Sequence, residues 1–313
     1  MTRILLLALL AAGPALAAPT AQQIDAATYE GGPLPEGQSA LTARVQALLD
    51  RAGISPGVID GYAGGMSTSA IRAFEAREGL AVDGEMDPEV WDALGGAAVT
   101  MRYTVTEADA ENLVDEIPEE TEAKAEMAAL GYVRLSEALA ERFHMDEDFL
   151  VALNEGVEIA PGAQIDVIDP GAPARGTVAR VVVDFETRRL QALDAEGTVL
   201  TNYPVAIGDA DSETPTGTHE VLAIASEPTW TFDPDVLEEV DAGDEALVLA
   251  AGPNNPVGSV WIDLSKETYG IHGTPEPARL FSEGSAGCVR LTNWDAEELS
   301  EMIEVGAEVE IRG

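Results

Sequence analysis

The sequence predicts a multidomain chain: a small three-helix module, an α/β linker module and a mainly-β C-terminal domain. Three observations carry this reading. Apolar residues recur at helical spacing between Leu41 and Leu94, punctuated twice by the same dipeptide, Asp60-Gly61 and Asp83-Gly84. Eight acidic residues and no basic one then fall between Glu107 and Glu122, around Pro118. From Val178 onward the pattern changes to period-two alternation broken by turns. A length of 313 residues is enough for two or three compact units.

Met1-Thr2-Arg3 followed by Ile4 to Ala12 is a short positive start and an apolar run, leading to Ala15-Leu16-Ala17, an A-x-A cleavage site. Residues 1–17 are therefore expected to be a cleavable signal peptide, with export to the periplasm. Later stretches are too short in apolar residues for a bilayer span, and no Cys near the cleavage site could carry a lipid. Against 57 acidic residues stand 17 basic ones, a net charge of -40. Such a surface repels nucleic acid and anionic lipid, and its even spread suits solubility or salt adaptation.

After Gly31-Gly32-Pro33, the apolar set Leu41, Val45, Leu48, Leu49 and Ala52 predicts a helix ended by Gly53. A second helix is predicted from Ser67, packing Ala70, Ile71 and Phe74. A third has Asp87 as N-cap, Pro88 at its first position, Trp91 and Leu94 inward and Gly95-Gly96 as its stop. The patterns Ala70-Ile71-Arg72-Ala73-Phe74 and Gly79-Leu80-Ala81-Val82-Asp83-Gly84, ending in Trp91 and Leu94, resemble the peptidoglycan-binding type 1 module, which residues 38–97 would form. These are scaffold residues, so ligand binding follows by analogy alone.

Residues 101–170 read as an acidic linker joined to helical patterns (Leu135, Leu139, Phe143; Phe149, Leu150, Leu153) and a strand (Ile165, Val167, Ile168). With Tyr103-Thr104-Val105 upstream and Leu150-Val151-Ala152-Leu153-Asn154 as a Leu-x-x-x-Asn signature, this stretch resembles a divergent LysM glycan-binding module. The third unit, residues 178–312, has predicted strands at Val181–Phe185, Leu190–Leu193, Val199–Ile207 and Gly217–Ile224. A hairpin turn is expected at Ala195-Glu196-Gly197, and a helix through Asp295, Ala296, Leu299, Met302 and Ile303. The acidic stretch Phe232 to Glu245 interrupts the β pattern as a surface excursion or a lid.

Cys288 is the sequence's only cysteine, in Gly284-Ser285-Ala286-Gly287-Cys288-Val289-Arg290. A lone cysteine in an exported chain cannot form an internal disulfide, so its thiol is incidental or reactive. Gly287 permits close backbone approach, His272 lies on a separate segment, and Arg290 favours thiolate. The bland alternative is a buried cysteine and a satisfied histidine. The other histidines, His144 on a helical pattern and His219 within a strand, stand apart from this motif. Three histidines and one cysteine without ligand spacing argue against a metal site, and no cofactor is implied. Thiol-redox chemistry would want a second cysteine.

Five ordered motifs extend the signal: Tyr203-Pro204-Val205-Ala206-Ile207-Gly208, Thr214-Pro215-Thr216-Gly217, Gly252-Pro253-Asn254-Asn255-Pro256-Val257-Gly258, Tyr269-Gly270-Ile271-His272-Gly273-Thr274 and Ser285 to Arg290. Through them Val181 to Ile311 resembles the L,D-transpeptidase (YkuD-type) catalytic domain. The resemblance implies Cys288 as nucleophile, His272 as base and then acid, and Gly273 orienting the histidine by its backbone carbonyl. Gly287, Ser285, Arg290 and Tyr269 would hold substrate or the oxyanion. It also implies a thioester with a peptidoglycan stem tetrapeptide, loss of D-alanine, and a cross-link between two diaminopimelates. Ala286 stands where many members have histidine, a departure that bears on turnover or acceptor choice. Anchoring of an outer-membrane protein, hydrolysis of the stem peptide, and a non-catalytic wall-binding role are the competing expectations.

Overall fold

The computed structural model describes residues 18–208, 214–232, 246–282 and 287–313. The expected leader, Ser285, Ala286 and residues 233–245 of the acidic excursion lie outside that set.

The helical module is built from α1 (Ala21–Ala26), α2 (Ala40–Arg51), α3 (Gly65–Glu78) and α4 (Pro88–Leu94). Ser39 caps α2 by accepting from Thr42 N–H, and Asp87 caps α4 by accepting from Val90 N–H. The helix α3 begins two residues ahead of Ser67, because the Ser67 hydroxyl faces inward against Gln46 and the Tyr62 carbonyl. The repeated Asp-Gly turns have one construction. Gly61 and Gly84 both sit at φ +76, and each N–H is captured by a buried side chain of a preceding helix, Gln46 Oε1 at 2.8 Å and Glu75 Oε2 at 2.9 Å. In α4 it is Val90 that is fully buried, while Trp91 and Leu94 are half-buried. The helix α1 plugs Ile24 into the neighbouring core.

The α/β module comprises β1 (Thr100–Thr104), α5 (Thr121–Ala125), α6 (Leu135–Arg142), α7 (Glu147–Leu153) and β2 (Gln164–Ile168), with β1 and β2 antiparallel. Asn154 staples its end: its amide donates to Leu150 O and Asp166 O and accepts from Asp166 N–H. The acidic stretch expected as a linker is instead tied down at Asp109. That carboxylate accepts from Tyr103 Oη, Thr106 N–H and Arg142, which hold it below the usual carboxylate range against the opposing effect of burial. His144 is not on a helix; it follows α6 at φ 56.

The C-terminal unit holds β3 (Val178–Asp184), β4 (Arg189–Leu193), β5 (Val199–Pro204), β6 (Gly217–Ser226), β7 (Trp230–Phe232), β8 (Leu247–Leu249), β9 (Val260–Leu264), β10 (Gly270–His272), β11 (Val289–Arg290), α8 (Asn293–Met302) and β12 (Ile303–Arg312). Strands β7 and β8 form a separate ribbon. The other eight make one sheet in the order β11-β10-β9-β6-β12-β3-β4-β5. It curls until its ends meet: Ala206, just past β5, exchanges both backbone hydrogen bonds with Arg290 of β11, each 2.9 Å. Closure satisfies backbone groups that an open edge would leave unpaired. Val181, Val183, Leu190, Ile262, Ile271, Val309 and Leu299 of α8 fill the interior.

The three parts share buried surface. One core joins Ala43, Ala47 and Leu48 of α2 to Leu139, Phe149 and Ile165 of the α/β module. Val45 and Leu49, elsewhere around α2, pack on α3 and α4, so this helix is buried nearly all round. Ser55 N–H donates to Asn202 O, and Asn202 N–H to Gly53 O, stitching the helical module to β5. The buried Arg189 caps this seam through Ser55 O and Asn202. His144 stacks on Trp294 of α8 at 5.3 Å and meets Asp50 of α2 at 2.8 Å. Phe149→Ala, which empties a fully buried position at the shared core, is expected to cost about 3–5 kcal/mol in urea denaturation.

Candidate active site

Register decides what meets at the site. β10 and β11 are parallel, with Ile271 opposite Val289 and His272 opposite Arg290. Side chains alternate along a strand, so Ile271 and Val289 enter the core while His272, Arg290 and Cys288 share the other face. Cys288 comes one position before β11 and lies across from Gly270, a diagonal neighbour of His272. Its half-buried sulfur is 3.8 Å from the Thr268 carbonyl and close to the Gly270 N–H.

His272 is 6% exposed. Its Nδ1 lies 2.7 Å from the Gly273 carbonyl, which can only accept, so Nδ1 carries the proton and Nε2 presents a lone pair. The ring stacks on Trp261, centroids 5.5 Å apart and planes 19° from parallel. Burial is the largest influence on this imidazole and pushes it down to about 4; the Gly273 carbonyl opposes the shift and the Arg290 guanidinium adds to it. Burial likewise pushes the Cys288 thiol up, against the Gly270 N–H and Arg290, which pull it down. Both shifts favour the uncharged forms, a thiol and a neutral imidazole.

Glycines allow the surroundings to close. A methyl on Gly273 or on Gly258 would overlap Asn293 Oδ1, and one on Gly270 would sit 2.6 Å from the Trp261 ring. Gly287 is at φ +101, where a Cβ would also lie 2.8 Å from the Tyr269 ring. Thus Gly287 and Tyr269 are brought together beside Cys288, and Lys266 Nζ stands 5.6 Å from the Tyr269 ring centroid. The backbone of Arg290 closes the sheet while its side chain biases both titrating groups. His144 lies at the junction of the modules and His219 pairs with Val309 on β6, away from this face. Among the described residues, no group of three or more His, Cys, Asp or Glu is arranged to hold a metal ion.

Two neighbours of the site were not singled out in the sequence. Trp261 is marked only by its place on a strand, and its contact with His272 depends on the β9–β10 register. Asn293 is the first residue of α8, after the cap Thr292, and reads locally as an ordinary helix start.

Comparison with known proteins agrees with this architecture. Residues 179–311 match the family model described as "L,D-transpeptidase catalytic domain", and residues 38–94 match that described as "Putative peptidoglycan binding domain". Residues 179–311 are therefore an L,D-transpeptidase catalytic domain of the YkuD type, the enzyme unit that this chain carries behind an N-terminal peptidoglycan-binding module. It is 27% identical over 175 residues to the "Putative L,D-transpeptidase YkuD" of Bacillus subtilis, covering 56% of this chain and 91% of that protein. It is 31% identical over 173 residues to the "Probable L,D-transpeptidase ErfK/SrfK" of Escherichia coli, covering 51% and 55%. A solved L,D-transpeptidase from Xylanimonas cellulosilytica superposes with a TM-score of 0.41 at 14% identity, covering 91% of this chain and 100% of that one.

The thiol's environment sets its reactivity. Iodoacetamide alkylation of Cys288, followed by mass spectrometry, should still accelerate past about pH 8.5, the ordinary thiol midpoint. A plateau reached below pH 7 would mean a preformed thiolate–imidazolium pair and contradict the neutral resting state.

Proposed function

We propose that the chain is a periplasmic cysteine L,D-transpeptidase that cross-links peptidoglycan stem peptides. The observation that supports this reading is the parallel register that sets His272 opposite Arg290, two residues after Cys288, with the imidazole Nδ1 against the Gly273 carbonyl.

Chemistry follows from that placement. As the Cys288 sulfur attacks the carbonyl that links diaminopimelate to the terminal D-alanine, its proton passes to His272 Nε2. Collapse of the tetrahedral intermediate transfers that proton to the departing D-alanine amine and leaves a thioester. The side-chain amine of a second diaminopimelate then adds to the thioester, losing its proton to His272, and the Cys288 thiol is regenerated. Backbone N–H groups around Gly287 and Cys288 would receive the oxyanion, and Arg290, Tyr269 and Ser285 would contact substrate. No step calls for a metal or cofactor.

Peptidoglycan is a polymer, so a wall-binding module fixed to the catalytic unit raises the local concentration of stem peptides. The α/β module has α5, α6 and α7 between antiparallel strands, α6 and α7 being the helical patterns on which the LysM resemblance rests, and it is proposed as a second wall-facing unit. Residues 1–17 supply the proposed route of export. No helix among the described residues is long and apolar enough to cross a membrane.

Incubation of the wild type with disaccharide-tetrapeptides should give dimers with loss of D-alanine, read by mass spectrometry, and Cys288→Ala should give none. Tripeptide alone would mean water is the acceptor; no product would favour a protein amine or a binding-only role. His272→Gln should slow acylation by about 10²–10⁴-fold. Because a protonated imidazole cannot accept the thiol proton, kcat/KM for acylation should hold on the acid side and fall as pH drops through about 4.

A further inference from the structure

The peptide that orients His272 is itself held, and the hold reaches outside the catalytic unit. Gly273 donates its N–H to Val260 O at 3.3 Å and gives its carbonyl to His272 Nδ1. Its Cα is covered by Asn293, whose Oδ1 occupies the space any side chain on Gly273 or Gly258 would need. Asn293 is 1% exposed, and its amide is fully engaged. Oδ1 accepts from Ser259 N–H at 3.2 Å, while Nδ2 donates to Pro253 O at 3.2 Å and to Glu141 Oε1 and Oε2 at 3.2 and 3.0 Å.

Glu141 belongs to α6 of the α/β module, 152 residues away in sequence. Its carboxyl is buried, accepts from Tyr132 Oη at 3.0 Å, and feels Glu297 and Glu137 nearby. One helical turn earlier, Glu137 Oε1 accepts from Asn254 Nδ2 at 2.8 Å. The Leu130 backbone bonds Ala251 O and Asn254 N–H, so the module grips the 251–254 loop as well as the start of α8. Both oxygens of that carboxyl lie within hydrogen-bond distance of the Asn293 amide and receive its Nδ2 donor.

We propose that Asn293 is a positioning residue for His272 and that Glu141, supplied by the α/β module, sets its orientation. The module is then part of the catalytic apparatus in addition to any wall contact. The relay runs by hydrogen bonds from the Glu141 carboxyl to the Asn293 amide, by packing of Asn293 against the Gly273 Cα, and by the Gly273 carbonyl to His272 Nδ1–H. The proposal rests on His272 acting as the base.

Glu141→Leu removes the acceptor, whereas Glu141→Gln keeps a carbonyl oxygen for Asn293 Nδ2. Asn293→Asp keeps the acceptor for Ser259 N–H but faces Glu141 with an oxygen. In folded full-length protein, Glu141→Leu and Asn293→Asp should each lower kcat by about 10–100-fold with KM within about twofold. The double variant should be no slower than the worse single one, and Glu141→Gln should stay within about threefold of wild type. Independently of any turnover, imidazole ¹⁵N shifts of His272, assigned with His272→Gln, should report Nδ1–H in the wild type and a tautomer mixture in Glu141→Leu and Asn293→Asp. Wild-type kcat and an unchanged tautomer in folded Glu141→Leu would overturn the proposal, as would losses that multiply in the double variant. If Glu141→Leu fails to fold, Asn293→Asp alone decides by the same two readouts. If the wild type proves inactive on stem peptides, the tautomer still tests the relay.

Discussion

The hydrogen bond from His272 Nδ1 to the carbonyl of Gly273 is the contact the rest of the structure is arranged to keep. It fixes which nitrogen is basic, and it survives only because the ring is dry, stacked on Trp261 and enclosed by β9, β10 and β11. The same dryness favours the neutral imidazole. Closing the sheet at Ala206 and Arg290 then brings the cysteine-bearing strand against its partner strand with little freedom to slip. A one-residue slip would turn Cys288 into the core and Val289 toward the cleft.

Rigidity around this bond is inherited from neighbours distant in sequence. The helix α2 is buried by two cores at once, and the seam of Gly53, Ser55, Asn202 and Arg189 joins the helical module to the curled sheet. Ser55 also donates to Asp295 of α8, which burial raises to about 7, with Asp50 adding to the rise and His144 opposing it. Thus α8 is touched by both other parts: by Ser55 of the helical module, and by His144 on Trp294 and Glu141 on Asn293 from the α/β module. In a chain of net charge -40, keeping acidic groups this close requires that they be hydrogen-bonded or neutral, and both occur at this junction.

Local signals were legible where local physics decides. Caps, the Asp-Gly turns and the alternating strands from Val181 to Ile224 could all be read from residue types, because each is a near-neighbour effect. The short strands β8 to β11 were not read, since two to five residues give too little period to see and their stability comes from pairing. The strand β12 carries a clear alternation through Ala307, Val309 and Ile311, yet it follows α8 without a loop, which masks its start. The acidic run read as a linker because its charge outweighs its few contacts; Asp109 reversed that by gathering Tyr103, Thr106 and Arg142. Cys288 and His272 stood out by motif. Asn293 did not, because what distinguishes it from any helix-starting asparagine is a pair of glycines and a carboxyl brought to it by the fold.

The proposed acyl transfer by Cys288 passes through a thioester, and trapping that covalent intermediate is the decisive experiment. Full-length protein mixed with a donor tetrapeptide and quenched in acid would be weighed intact and then mapped by peptide mass spectrometry. The expected result is an adduct on Cys288 equal to the donor less D-alanine, absent from Cys288→Ala. Product formation without any adduct on Cys288, or an adduct at another residue, would contradict it.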